Sequence, residues 1–153
     1  MNRLRIGLWA LTLLALISLA APVHAQTVAL AGRTGYDISK ETTLTGTVSS
    51  VLEKAPRGMV VGSHLMVATA TGTVDASLGR FGLLGKDAPS VAPGQYVEAT
   101  GVMKTLGNKQ VFVTRLLKLA DQVYTVRNTH GIALRPLERE YLRQSSGQQG
   151  VQP

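Results

Sequence analysis

Five short runs between Thr42 and Leu119 alternate apolar and polar residues with a period of two, and turn residues separate them. Period two is the mark of a strand with one face buried. Thr73-Val74-Asp75-Ala76-Ser77-Leu78 sets Val74, Ala76 and Leu78 on one face. Tyr96 to Met103 repeats the pattern, with Val97, Ala99, Gly101 and Met103 inward. Leu44, Gly46 and Val48 form the inner face of the first run, and Thr43, Thr45 and Thr47 the outer. Leu65, Val67 and Thr69 belong to the second run, Val111 and Val113 to the fifth. β-Branched residues are frequent in these runs, which favours strands over helices. The expected core is Val74, Ala76, Leu78, Val97, Ala99 and Val113.

The punctuation between the runs gives the topology. Thr71-Gly72 joins the second and third runs tightly, Pro93-Gly94 precedes the fourth, and Leu106-Gly107-Asn108-Lys109 closes a hairpin to the fifth. Gly46 and Gly101 lie inside strand patterns, as the corners of small barrels require. The longer connection from Gly79 to Ala92 carries Phe81, Leu83 and Leu84, enough for one short helix that plugs a barrel end. Three strands, a helix and two strands is the order of the oligonucleotide/oligosaccharide-binding (OB) fold, a five-stranded Greek-key barrel. The expected class is therefore mainly β: an OB-fold-like barrel over 41–120 with one short helix before the fourth strand.

The ends of the chain read differently. Arg3 and Arg5, an apolar stretch from Ile6 to Ala21 and a small-x-small site at Val23-His24-Ala25 predict a secretory signal peptide over 1–25, a periplasmic location and a mature start at Gln26. The apolar stretch is short for the ~20 residues of a membrane span. With the signal go Arg3 and Arg5, lowering the formal charge from +7 to +5, and also Trp9, the single tryptophan. There is no cysteine, hence no disulfide and no lipid-bearing thiol. Residues 26–40 read as a flexible lead-in. Within 121–144, Val123 to Arg127 and Ile132 to Arg135 flank Asn128-Thr129-His130-Gly131 as a C-terminal β-hairpin, with Gly131 in a left-handed turn. Pro136 then opens a short helix, Leu137 to Arg143. The Gln/Gly/Ser-rich tail, 145–153, reads as disordered.

Three motifs carry a resemblance. Thr43-Leu44-Thr45-Gly46-Thr47-Val48, Thr71-Gly72-Thr73-Val74 and Pro93-Gly94-Gln95-Tyr96-Val97-Glu98-Ala99-Thr100-Gly101 resemble the T-x-x-G-x-V, G-T-V/I and G-D-x-V-E-V-x-G runs of small periplasmic bacterial OB-fold proteins. Gln95 stands where that group has Asp. Tyr124-Thr125-Val126-Arg127 with Gly131 resembles the Y-T-L-R-D-x-x-G-x-P ending of secreted relatives, with Asn128 in place of Asp. The resemblance spans about half the chain and implies the fold. Many members have no established ligand.

Chemistry is sparse. Nucleophilic catalysis needs a nucleophile, a base and an orienting group together. After signal removal only His64 and His130 offer imidazoles, and neither lies in a nucleophile motif. No phosphate-binding loop with its lysine is present. The chain reads as a non-enzyme with no cofactor. Copper(I) carriers built on OB barrels use soft Met and His ligands. Met59, His64, Met66 and Met103 are available, and His64 and Met66 share a strand face. Those carriers add a tryptophan that the mature chain lacks, and their methionine spacing differs. The competing reading makes Met66 and Met103 gap fillers in the barrel and His64 a loop residue.

OB barrels bind ligands on the second and third strands between the first–second and fourth–fifth loops. Those loops hold Lys54, Arg57, Lys104 and Lys109, a set suited to an anionic ligand or envelope protein. Nucleic acid is an alternative partner, but binding single strands also calls for stacking aromatics. Tyr36, Phe81, Tyr96, Phe112, Tyr124 and Tyr141 all fall outside the second and third strands.

Overall fold

A computed structural model describes residues 35–148. The expected signal peptide over 1–25, its cleavage site, the lead-in as far as Thr34 and the tail from 149 lie outside the described residues. The described chain is mainly β. Its strands are β1 (Thr42–Leu52), β2 (Ser63–Thr69), β3 (Gly72–Gly79), β4 (Tyr96–Leu106), β5 (Lys109–Leu119) and β6 (Gln122–Thr125), followed by one helix, α1 (Pro136–Gln148).

Neighbouring strands run in the order β3-β2-β1-β4-β5-β6, and β3 also pairs with β5. That last pairing is parallel, Ala76 with Phe112 and Ser77 with Val113, and it closes β1 to β5 into a barrel. All other pairs are antiparallel. This is the OB-like barrel that the alternating runs imply. Its core joins Val48, Leu65, Val67, Ala76, Leu78, Val97, Ala99, Phe112, Leu117 and Val126, with Val74 packed against them.

Four expectations need correction. First, no helix lies between β3 and β4: residues 80–95 form a chain of turns. Gly82 to Gly79, Leu84 to Phe81 and Ala88 to Gly85 are single i to i−3 bonds. The carbonyls of Phe81, Gly82 and Leu84 accept from the guanidinium of Arg139 on α1. An arginine from a distant helix thus replaces the helical ladder that Gly85 and two prolines would interrupt.

Second, Met103 faces outward, 42% exposed. The register of β4 on β5 slips between Thr100 and Gly101, leaving Arg115 without a partner in the ladder. Such a bulge bends the strand, and Gly101 and Val102 become consecutive buried residues. Third, Phe112 occupies the core position expected for Val113, which is half-buried. Val111-Phe112-Val113 is apolar throughout, so alternation cannot phase it; the pairing of Ala76 with Phe112 does.

Fourth, the C-terminal segment is divided. β6 pairs with β5 through Leu116–Thr125 to Leu119–Gln122. A smaller hairpin follows, closed by the Arg127–Ala133 bridge and by Leu134 N–H on Val126 O at 3.0 Å. Gly131 has the expected left-handed φ of +77°, and a side chain there would collide with Tyr36. The helix continues past Arg143 through one further turn to Gln148, into the stretch read as disordered tail.

α1 docks in an unusual sense. Its inward residue is Arg139, 6% exposed, and the exposed Arg143 pairs with Asp87. Leu137 and Tyr141 point away from the barrel, 79% and 71% exposed. Among the described residues no helix is long and apolar enough to cross a membrane.

Candidate functional site

The loop between β1 and β2 and the tight turn between β4 and β5 meet at one end of the barrel. The first loop, residues 53–62, is closed at its base by Ala55 N–H on Gly62 O at 2.8 Å. A turn, Met59 N–H on Pro56 O at 3.2 Å, shapes its tip. Lys109, first residue of β5, donates its Nζ to Gly58 O at 3.1 Å and ties the two loops together. Beneath them lies a cleft of about 270 Å³, lined by Met59, Val60, Asp75, Leu106, Lys109 and Val111 among others.

The four predicted cations divide here. Lys109 stands in the cleft wall. Arg57 is next in sequence to the Gly58 that Lys109 holds, and Lys54 lies near the loop base. Lys54 and Arg57 are exposed and make no hydrogen bond or ion pair among the described residues. Lys104 is not among the cleft-lining residues; its Nζ reaches Gly35 O at 3.3 Å, in the chain that leads into β1.

That lead-in is pinned by its own network. Tyr36 donates its hydroxyl to Glu41 at 2.6 Å, and Arg115 grips both carboxylate oxygens of Glu41, the second at 2.7 Å. The Arg115 hydrogen bonds hold the Glu41 carboxyl below its usual range, and Glu41 in turn raises Arg115. Burial, reinforced by the Glu41 carboxylate, raises Tyr36.

The metal candidates fare differently from expectation. His64 is not a loop residue but lies on β2, fully buried. Its Nδ1 lies 2.5 Å from Asp75 Oδ1 and its Nε2 2.7 Å from Val60 O. Both ring nitrogens are thus engaged. Met66 is half-buried on β2, opposite Asp75 of β3. Among the described residues no three His, Cys, Asp or Glu side chains converge as a metal site would need.

The His64–Asp75 pair was not read from the sequence, although a signal for it exists. The tight turn at Ala70-Thr71 fixes the β2–β3 register and sets His64 opposite Ser77, with Asp75 two residues along. Residues so placed lie on one face along a diagonal, within reach of long side chains.

Besides a hollow of about 630 Å³ lined by Gly85, Lys86 and Pro136 among others, two more lie by α1. One, of about 200 Å³, is bordered by Asp87, Arg139 and Arg143, whose charges are already engaged with one another or with the turn carbonyls. Burial lowers the Arg139 guanidinium, as it does Arg127 beneath the small hairpin. The second is a shallow apolar groove of about 640 Å³ between Ile132 and Tyr141. The cleft under the loops sets a lysine, Lys109, against the part-buried carboxylate of Asp75. No protein-family model matches the chain, and comparison with curated proteins gives no match.

Proposed function

We propose that this chain is a non-enzymatic periplasmic OB-fold module that binds an anionic ligand or the anionic face of an envelope partner at the loop end of its barrel. The observation that carries this reading is the Lys109–Gly58 contact. It draws a cation of one loop onto the other, the loop that also carries the exposed Arg57 and Lys54. A lysine has three donors, so Lys109 keeps two for a ligand while it holds Gly58. Sulfate or phosphate groups suit such a rim, and their attraction weakens with salt, over a Debye length of ~8 Å at physiological ionic strength. The fold resemblance to small periplasmic bacterial OB-fold proteins supports the location.

The test uses retention on dextran sulfate resin. Changing Lys54, Arg57 and Lys109 together to Ala should abolish retention and leave the circular dichroism spectrum intact. Lys104→Ala alone should have little effect. Unchanged retention of the triple variant rejects the loop site and directs attention to Arg135 and Arg143 on the C-terminal segment.

A further inference from the structure

His64 has no exposed surface, and both of its ring nitrogens face oxygens. The carbonyl of Val60 can only accept a hydrogen bond, and so can an ionised Asp75 carboxylate. Either neutral tautomer would turn one nitrogen lone pair onto an oxygen lone pair at 2.5 or 2.7 Å. With Asp75 ionised, only the doubly protonated ring satisfies both contacts at once.

The two partners also matter for the site. Val60 belongs to the β1–β2 loop, and both Val60 and Asp75 line the cleft. Asp75 is the carboxylate among the cleft-lining residues. Resting on the anion-binding reading above, we infer that His64 is a proton-operated clasp for that cleft. Protonated, it fastens the loop through Val60 and cancels the Asp75 charge. Deprotonated, it lets go of one partner and leaves a carboxylate facing any bound anion.

The surroundings isolate this pair. β1 carries no titratable residue, β2 carries only His64, and β3 only Asp75. The loop supplies Glu53, Lys54 and Arg57, all exposed, and β5 supplies Lys109 at its start. Ser77, opposite His64, accepts from the buried Arg127 at 3.2 Å, one contact further away. Proton loss from His64 is therefore the one local change that converts a neutral pair into a net negative one without touching the cationic rim.

The sign follows directly. Anion affinity is higher at low pH and falls as His64 loses its proton. One unit charge near a solvent-facing site changes affinity by roughly five- to tenfold. Dextran sulfate is the fitting probe because its sulfate groups stay ionised across the range.

Two variants should lock opposite states. His64→Gln leaves Asp75 uncompensated and should bind weakly at pH 5.5 as well as at pH 8.5. Asp75→Asn removes the charge and should bind as tightly at pH 8.5 as the wild type does at pH 5.5. His130→Gln, on the exposed hairpin tip, should keep the wild-type pH dependence. A ligand-free measurement stands beside these: the ring ¹⁵N signals of His64 and the backbone amide signals of Gly58, Met59 and Val60, followed by NMR over the same range. The clasp predicts that they titrate together. His64 signals that do not move between pH 5.5 and 8.5, or loop amides that ignore them, overturn it, whether or not the variants fold. If loop and ring titrate together while the triple cation variant still binds the resin, the clasp stands and the anion-binding reading falls.

Discussion

Replacing Gly101 with Ala tests the barrel geometry at its tightest point. A Cβ at this position would lie 2.2 Å from Val113 O, 2.9 Å from Val113 C and 3.0 Å from Phe112 Cε1. The first two atoms are backbone of the paired strand, held on its other side by the parallel contact of Val113 with Ser77. Ordinary van der Waals contact begins more than 1 Å further out, so β5 must move or a ladder bond must break. Overpacking a well-filled interior costs about 1–3 kcal/mol, and a lost backbone hydrogen bond adds about 1 kcal/mol. Against this, Ala restricts the unfolded chain and returns about 0.4–1 kcal/mol. The net loss is about 2 kcal/mol, which for a domain of this size lowers the melting temperature by roughly 10 °C. Thermal unfolding by circular dichroism, with urea titration as a second measure, reads it. Gly35→Ala is the control, since nothing lies within 4 Å of its added methyl group. Gly46→Ala should behave like Gly101→Ala, because its Cβ would lie 2.3 Å from Ala68 O. If Gly101→Ala melts at or above the wild-type temperature, only the entropic term is present and the close approach of β4 and β5 is wrong.

Val97→Asp should unfold the barrel or come close, because Val97 is fully buried and a lone carboxylate there has neither water nor a partner. Glu98→Ala should cost less than about 1 kcal/mol, since it removes only the exposed 3.6 Å pair with Lys118; equal effects in a melting assay would refute the register. Phe112→Ala should cost about 3–5 kcal/mol by chemical denaturation, and Val113→Ala distinctly less; the reverse order would return the core to Val113. The acid limb of stability should depend on Glu41. Its carboxyl is lowered in the fold by Arg115, so its contribution is complete above the ordinary value of 4.5 and is lost as pH falls below it towards the folded value. Glu41→Gln should therefore flatten the loss of stability in acid, as measured by urea midpoints between pH 2 and 6; an unchanged acid slope would show that Arg115 does not hold Glu41 as described.

Strands with clean alternation were legible because their pleat is one-sided. Val74, Ala76 and Leu78, like Val97 and Ala99, had polar neighbours on both sides to fix the phase. Val111-Phe112-Val113 had none, and its phase comes from a parallel pairing between strands more than thirty residues apart, which no local pattern reports. The Arg115 bulge is likewise a property of two strands together, and it carried Met103 to the surface. The missing helix before β4 has the same origin: its turn carbonyls are satisfied by Arg139, 55 to 58 residues away. At the candidate site, the two loops could be read from strand order. The division of their cations could not, because Lys104 follows a carbonyl of the lead-in chain.

The inverted docking of α1 sets how that helix lets go. Its attachment rests on guanidinium groups against turn carbonyls and on Arg143 with Asp87, while Leu137 and Tyr141 are already in water. Detachment therefore exposes little new apolar surface. Denaturant sensitivity and heat capacity change both scale with that surface. Native-state hydrogen exchange should find α1 opening with almost no dependence on urea, well below the slope of the barrel strands. On cooling, the barrel loses part of its hydrophobic support, whereas the hold on α1 does not weaken with it. The helix and the barrel thus respond to different solvents and different temperatures, although one chain joins them.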